Sequence, residues 1–151
     1  MLYIGIDPGK SGAIAVLIDI DDDPRVWTFT FDNTERDIDD WLCNNVLGAD
    51  AFAFLERVHA MPKQGVKSSF TFGQNYGFLR GILIAHGFPF EEVSPQRWQK
   101  AMGCLSHGDK NVTKAKAQQL FPAVKVTHAI ADALLIAEYC RRQCRERKSM
   151  T

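Results

Sequence analysis

The order of strand-like segments in the first third of the chain constrains the fold most strongly. Three segments rich in β-branched and aromatic residues follow one another closely, at residues 2–7, 13–19 and 25–31. Turn-forming residues separate them, at positions 8–12 and 21–24, the second including Asp21 and Asp22. Strands joined by such short turns predict an antiparallel meander.

The rest of the sequence predicts helices that alternate with two further strands. Asn33 and Thr34 offer a helix cap, with Asp37 three residues after Thr34, so a helix is expected up to residue 48. A short apolar strand over residues 51–56 ends in Glu56, and a loop is expected over residues 59–67. The remaining expected elements are a helix over 68–86, a strand over 88–93, and helices over 95–102, 111–120 and 127–145. We therefore predict an α/β fold, a five-stranded mixed sheet flanked by helices, in a single domain spanning residues 1–151.

Charge is distributed unevenly, although the net charge of the chain is zero. Residues 1–62 contain 4 basic and 12 acidic residues, a net charge of −8, and residues 63–151 contain 14 basic and 6 acidic residues, a net charge of +8. One basic surface could follow a phosphate backbone, while two solvated faces without a ligand are the alternative.

Two classes of protein are disfavoured by the sequence. No apolar run approaches the roughly 20 residues that cross a bilayer, and no basic leader precedes the first strand, so we expect a cytoplasmic protein without membrane association. The cysteines show no CxxC pair, so we expect buried or unreactive thiols rather than a zinc site. They are Cys43, Cys104, Cys140 and Cys144.

Three acids occupy positions from which strands or a helix could bring them together. Asp7 ends the first predicted strand, Glu56 ends the fourth, and Asp132 lies on the last predicted helix. Converging carboxylates repel one another unless a divalent cation such as Mg²⁺ or Mn²⁺ binds between them. Two such ions about 4 Å apart can activate water and stabilise a leaving oxygen during phosphodiester hydrolysis. Simple solvated carboxylates are the alternative.

Several short motifs occur together in a characteristic order. They are IGIDPG at residues 4–9, SGAIA at 11–15, ERVH at 56–59, GQ at 73–74, SPQRWQK at 94–100 and ADALLIA at 131–137. In this order the set resembles the RuvC-like Holliday junction resolvases, and the compact, phage-type members above all. The resemblance implies an RNase H-like fold, a homodimer, and Mg²⁺-dependent paired nicking of four-way DNA junctions in recombination and repair. It also implies a four-carboxylate site with two metal ions, no nucleotide cofactor, and a location in the cytoplasm of a bacterial or phage-infected cell.

The sequence departs from the family pattern at one expected metal ligand. The family places a fourth ligand, usually acidic, about one helical turn before the final Asp, where this chain has Ala129. His128 shares that helix face and could bind metal instead, although a structural role is the alternative. We hypothesise that the chain binds metal weakly and cuts DNA poorly or not at all.

Basic residues of the second half are candidates for DNA contact. Similar lysines in the family lie near the scissile phosphate, which makes Lys110 and Lys114 candidates for transition-state stabilisation. His59 could stack on a base, with Phe70 and Phe72 as substitutes. The basic stretch 141–148 is expected to be a frayed helix end that assists DNA contact. Candidates for binding the DNA arms are Lys63, Lys67, Arg80, Arg97, Lys100 and Lys116.

The long central helix carries Gly73, Gly77 and Gly81 at intervals of four residues. Each helical glycine costs about 1 kcal/mol against alanine, so this face should pack closely against a helix of the same chain or of a second copy. We expect a dimer interface here.

Two other functions remain open from the sequence. The stretch from Asp7 to Gly12 also resembles the first phosphate loop of actin-like ATPases, although those proteins need a second such domain. A noncatalytic branched-DNA binding protein is the other alternative, because Ala129 stands at an expected ligand position.

Overall fold

The computed structural model describes residues 1–20, 23–32, 34–59, 63 and 65–150. The expected turn residues Asp21 and Asp22, the cap candidate Asn33, and loop residues 60–62 and 64 lie outside the described residues. Five strands form one sheet in the order β3-β2-β1-β4-β5. Their bounds are β1 Leu2–Asp7, β2 Ala13–Ile20, β3 Asp23–Thr30, β4 Ala51–Glu56 and β5 Phe90–Val93.

The pairing of the strands confirms the predicted mixed sheet. Strand β2 pairs antiparallel with both β1 and β3, which is the expected meander. Strand β4 lies parallel to β1 and to β5. The fifth strand starts two residues later than predicted, because the Phe88 N–H donates to the Leu83 carbonyl and so belongs to the end of the preceding helix.

Five helices cover the sheet, with bounds α1 Glu35–Asn45, α2 Val66–Ala85, α3 Pro95–Ala101, α4 Lys110–Leu120 and α5 His128–Ser149. The predicted capping box of α1 is confirmed, since the Thr34 side chain accepts from the Asp37 N–H and the Asp37 carboxylate accepts from the Thr34 N–H. The Ser94 side chain caps α3 by accepting from the Arg97 N–H, and Ser94 stands directly before Pro95. None of the described helices is long and apolar enough to span a bilayer.

The two faces of the sheet pack against different helices. Side chains alternate along a strand, so Ile4 and Ile6 of β1 point to one face and join a core with residues of α1 and α2. Tyr3 of β1 and Phe54 of β4 point to the other face and join a core with residues of α3, α4 and α5. The chain is therefore a three-layer α/β/α arrangement.

Helix α5 lies directly on the central strand, and Gly5 makes this close approach possible. A Cβ atom at Gly5 would overlap the backbone of Ala133 and Ala137. No side chain separates the two elements at this point. The position of α5 relative to β1 is therefore set by contact between their backbones.

The C-terminal end of α5 differs from the prediction. We expected a frayed basic end, but the helix continues to Ser149 because carboxylates pair with its arginines. Arg141 contacts Asp19 and Glu138 at 3.0 and 2.7 Å. Arg147 contacts Glu91 at 2.7 Å. Much of the basic charge expected to meet DNA is thus neutralised within the chain.

Candidate active site

The ends of β1 and β4 place Asp7 and Glu56 next to each other on one face of the sheet. The strands are parallel, with Ile6 opposite Leu55, so their carboxyl ends meet at the same edge. Asp7 lies on the same side of its strand as Tyr3, and Glu56 lies on the same side as Phe54. Both acids therefore face the layer that contains α5.

Helix α5 contributes Asp132, in its second turn. The carboxylate of Asp132 repels those of both Asp7 and Glu56. Its Oδ1 atom is buried and has no hydrogen-bond partner among the described residues. The structure thus brings together the three acids singled out from the sequence.

Hydrogen bonds hold two of these carboxylates in place. The Gly9 N–H donates to Asp7 Oδ1 at 3.0 Å, within the turn that follows β1. The indole Nε1 of Trp98 donates to Glu56 Oε2 at 2.7 Å. Trp98 is completely buried. Sequence reasoning included Trp98 in a motif but missed this contact, because the two residues are far apart in the chain.

Burial and mutual repulsion favour the neutral forms of two of the acids. Burial raises the pKa of Asp7 to about 6, with a further increase from Asp132, against the Gly9 hydrogen bond and Lys110, which lower it. Burial likewise raises the pKa of Glu56 to about 8, with Asp7 and Asp132 adding to the increase, while the Trp98 hydrogen bond and Lys110 lower it. A cation between the three carboxylates would remove this repulsion.

Two features of the three acids suit a divalent cation: their carboxylate oxygens, and a buried oxygen of Asp132 that lacks a hydrogen-bond partner within the described part of the chain. Hard cations such as Mg²⁺ prefer carboxylate oxygens, and the buried Oδ1 of Asp132 lacks the partner that such an atom normally has. The three carboxylates are not a set whose ligand atoms all lie within 4.8 Å of one another. Binding of a single ion by all three carboxylates would therefore require their side chains to move closer together.

A cleft of about 450 Å³ opens beside Asp7 and is bordered by three lysines, Lys10, Lys67 and Lys110. Lys110 is the first residue of α4, where its ammonium group can meet an anion in the cleft. Lys67 comes from the start of α2. Sequence reasoning missed Lys10, Ser68 and Thr71, which also line the cleft. Adjacent acids and lysines suit a phosphodiester whose phosphate lies between metal and ammonium groups.

The other residues predicted to contact DNA differ in how exposed they are and in whether an acid pairs with them. Lys114 is half-buried, one helical turn after Lys110 on α4, and Lys116 is also half-buried. Arg80 is held by Glu92 at 2.6 Å. Exposed residues from the predicted set are His59, Lys63, Arg97 and Lys100.

His128 and Ala129, where the sequence departs from the family pattern, lie in the first turn of α5. Ala129 is half-buried and three residues before Asp132, so the two share a helix face. His128 is exposed. The fourth position of the predicted site thus carries a methyl group.

The glycine face of α2 is open in this chain. A Cβ atom added at Gly73, Gly77 or Gly81 would meet nothing within 4 Å. Of the two partners expected from the sequence, a helix of the same chain is therefore absent among the described residues. The side chains of Phe70 and Ile84, near the two ends of this stretch, are 68% and 63% exposed.

Comparisons with known proteins connect this geometry to one fold. No family model and no curated protein matches the sequence. The solved structure of Thermus thermophilus RuvC in complex with a Holliday junction substrate matches with a TM-score of 0.68 at 15% identity, over 97% of this chain and 96% of that chain. Another Thermus thermophilus RuvC structure matches with a TM-score of 0.62 at 16% identity, over 97% of this chain and 96% of that one. The expected resemblance is confirmed at the level of structure: the chain has the RNase H-like fold of RuvC.

Proposed function

We propose that this chain is a divalent-metal-dependent endonuclease that cuts branched DNA, and four-way junctions above all. The observation that carries the proposal is the placement of Asp7, Glu56 and Asp132 on one face of the sheet, beside a lysine-lined cleft. The RuvC structure that shares this fold is bound to a Holliday junction. We further propose that residues 1–151 act as a single domain.

Within this proposal, Asp7, Glu56 and Asp132 hold Mg²⁺, for which Mn²⁺ substitutes, with two ions in an intact site. When bound, Mg²⁺ supplies Lewis-acid polarisation of the phosphodiester and lowers the pKa of the attacking water. Trp98 keeps the Glu56 carboxylate oriented. Lys110, with Lys114 behind it, neutralises negative charge that develops on the phosphate.

The same proposal assigns the DNA arms to the cleft lysines and to exposed basic residues of the second half of the chain. Lys67 and Lys10 lie in the cleft next to Asp7, where they can contact the backbone on either side of the cut. The exposed residues Lys63, Arg97 and Lys100 extend this contact, and His59 stacks on an opened base. Because these contacts are to phosphates, affinity should fall steeply with salt.

A homodimer is part of the proposed function, since two nicks in one junction need two sites. The open glycines of α2 lie between exposed Phe70 and Ile84, which together give an apolar stripe on one helix face. Glycines let two helices approach closely, and the same stripe on a second copy is self-complementary across a two-fold axis. A second copy of this chain is therefore the proposed partner of this face.

The deciding experiment compares cleavage of a synthetic four-way junction by this chain and by Ala129→Asp, with and without Mg²⁺. We expect metal-dependent paired nicks on the junction and none on linear duplex, with Ala129→Asp faster by about tenfold or more because it restores a ligand. Asp7→Asn is the inactive control. Equal rates for the chain and Ala129→Asp would contradict the weakened-site hypothesis.

The Ala129 methyl favours a second candidate, a noncatalytic protein that binds branched DNA. A gel-shift assay on junction and linear DNA separates the two. Selective junction binding, without nicks from either the unsubstituted chain or the Ala129→Asp variant, would establish this candidate and contradict the nuclease. Binding of a nucleotide instead of DNA would favour the ATPase alternative.

A further inference from the structure

A second group of metal-ligand side chains lies away from the candidate active site. Asp39 and Cys43 are one turn apart on α1, and His86 directly follows α2. Their ligand atoms all lie within 4.8 Å of one another, and no other Asp, Glu, His and Cys set among the described residues does so. Sequence reasoning set Cys43 aside because no second cysteine stood nearby.

One of the three distances between the ligand atoms equals that of a tetrahedral metal site, and the other two differ from it by less than about 1 Å. Cys43 Sγ lies 3.6 Å from His86 Nε2 and 4.0 Å from Asp39 Oδ1, and His86 Nε2 lies 2.6 Å from Asp39 Oδ1. Metal–ligand bonds of zinc length at tetrahedral angles would put these atoms about 3.3 to 3.6 Å apart. The sulfur–nitrogen distance already matches, and the short His86–Asp39 contact would need to open by about 0.7 Å.

The ligand types select the metal. One thiolate, one imidazole and one carboxylate form a mixed set that suits Zn²⁺, whereas Mg²⁺ and Ca²⁺ prefer oxygen ligands alone. His86 and Asp39 are about one quarter exposed, at 26% and 27%, so water can reach a fourth position. Three protein ligands and one water are a common zinc arrangement.

We propose that Asp39, Cys43 and His86 bind one Zn²⁺ ion, which links α1 to the C-terminal end of α2. Binding displaces the thiol proton of Cys43 to solvent, and His86 binds through Nε2 with its remaining proton on Nδ1. The ion replaces a hydrogen-bonded pair between two helices with a three-ligand cross-link. Both helices pack on the same face of the sheet, so the link stabilises that layer.

The zinc site is separate from the candidate nuclease site. Thr71 of α2 lines the cleft beside Asp7, whereas His86 lies fifteen residues further along, which is about 22 Å along a helix. The zinc proposal can therefore be tested independently of the proposed nuclease function.

The test is a titration of the metal-free, reduced protein with Co²⁺, which reports its ligands spectroscopically, and with Zn²⁺ in competition. The measurement uses this chain and a version with Asp7→Asn and Asp132→Asn, so that metal bound by the nuclease carboxylates can be recognised. We expect one Co²⁺ per chain in the doubly substituted version, with a thiolate-to-cobalt charge-transfer band and visible bands of a four-coordinate ion. Zn²⁺ should displace the Co²⁺ and raise the melting temperature.

Matched variants connect the signal to the residues. Cys43→Ala should abolish the charge-transfer band, and His86→Ala should weaken binding at least about 100-fold, beyond what loss of an indirect contact costs. Cys144→Ala and His107→Asn remove another cysteine and another histidine and should leave binding unchanged. A charge-transfer band that persists in Cys43→Ala, or no band in the unaltered chain, would overturn the proposal. Co²⁺ bound with no sulfur band would also contradict the proposal.

Discussion

The indole of Trp98 and the carboxylate of Glu56 are joined by a hydrogen bond of 2.7 Å at the end of β4. The indole is fully buried, so its N–H has a fixed direction and the carboxylate is oriented by it. In Trp98→Phe the ring is kept approximately but the donor is lost. We expect the rate of junction cleavage to fall by about 10- to 100-fold, as for other contacts that orient a metal ligand.

The control for this variant is Trp27→Phe, because Trp27 is 45% exposed on β3. If Trp98 positions Glu56, the defect of Trp98→Phe lies in metal affinity. A higher Mn²⁺ concentration should then partly restore its cleavage rate. Loss of activity that no metal concentration relieves, with a lowered melting temperature, would indicate that Trp98 matters only for packing.

The buried acids predict how stability depends on pH without metal. Burial and repulsion raise the pKa of Asp7 from 3.8 to about 6 and that of Glu56 from 4.5 to about 8. The folded state therefore holds protons that the unfolded state releases, so the contribution of each acid to stability is complete at low pH and is lost as pH rises through its folded pKa. We expect the free energy of unfolding of the metal-free protein to decrease between about pH 4 and pH 8.

Asp7→Asn should flatten this pH dependence and stabilise the metal-free protein near pH 8, by on the order of 3 kcal/mol or less. Urea unfolding at several pH values measures both effects. Mg²⁺ should stabilise the unsubstituted protein more at pH 8 than at pH 5, because deprotonated carboxylates bind it better. A metal-free protein whose stability rises over this pH range would contradict the prediction.

The cleft lysines predict separable effects on DNA binding and cutting. Lys67→Ala should weaken junction binding and reduce the slope of log affinity against log salt by about 1, the share of one phosphate contact. Lys110→Ala should reduce the cleavage rate by about 10²-fold or more, with a smaller effect on binding. Arg36→Ala is the control, since Arg36 pairs with Asp40 on the acidic α1. If both lysine variants lost binding and cleavage rate equally, the separate roles predicted for Lys67 and Lys110 would be contradicted.

The glycines of α2 predict opposite effects on the monomer and on the dimer. The methyl group of Gly77→Ala would meet nothing within 4 Å among the described residues, so the substitution should stabilise the monomer by about 1 kcal/mol through helix propensity. In a close-packed dimer the same methyl group would separate the helices, and Gly77→Leu would do so more strongly. Sedimentation over a range of concentrations should show weaker association in that order. Unchanged association in Gly77→Leu would place the interface elsewhere.

Local patterns in the sequence predicted the order of elements, the capping box at Thr34 and the sheet, because these depend on residues close together in the chain. The positions of Asp7 and Glu56 at strand ends were also predicted, since each acid closes an apolar run. Contacts that join distant elements were not predictable: the Trp98 donor to Glu56, and Ser68 and Thr71 in the cleft beside Asp7. No local periodicity records which side chains meet across the sheet.

The arginines at the end of α5 show a different failure. Their composition suggested a free basic surface, but Asp19 on β2 and Glu91 on β5 neutralise several of them. Charge counted along a chain does not reveal which charges pair in space. The lysines around the cleft supply the positive charge that the proposed nuclease would use.

Gly5 offers no side chain where α5 crosses β1, so the separation of the aspartates on those two elements is fixed by main-chain atoms that every amino acid shares. Core residues elsewhere can change in size and shape while this spacing stays constant. A chain can thus diverge in most of its sequence and still present its acids at one distance. Gly5→Ala, which adds one methyl group and changes no charge, should displace the last helix and disable the site.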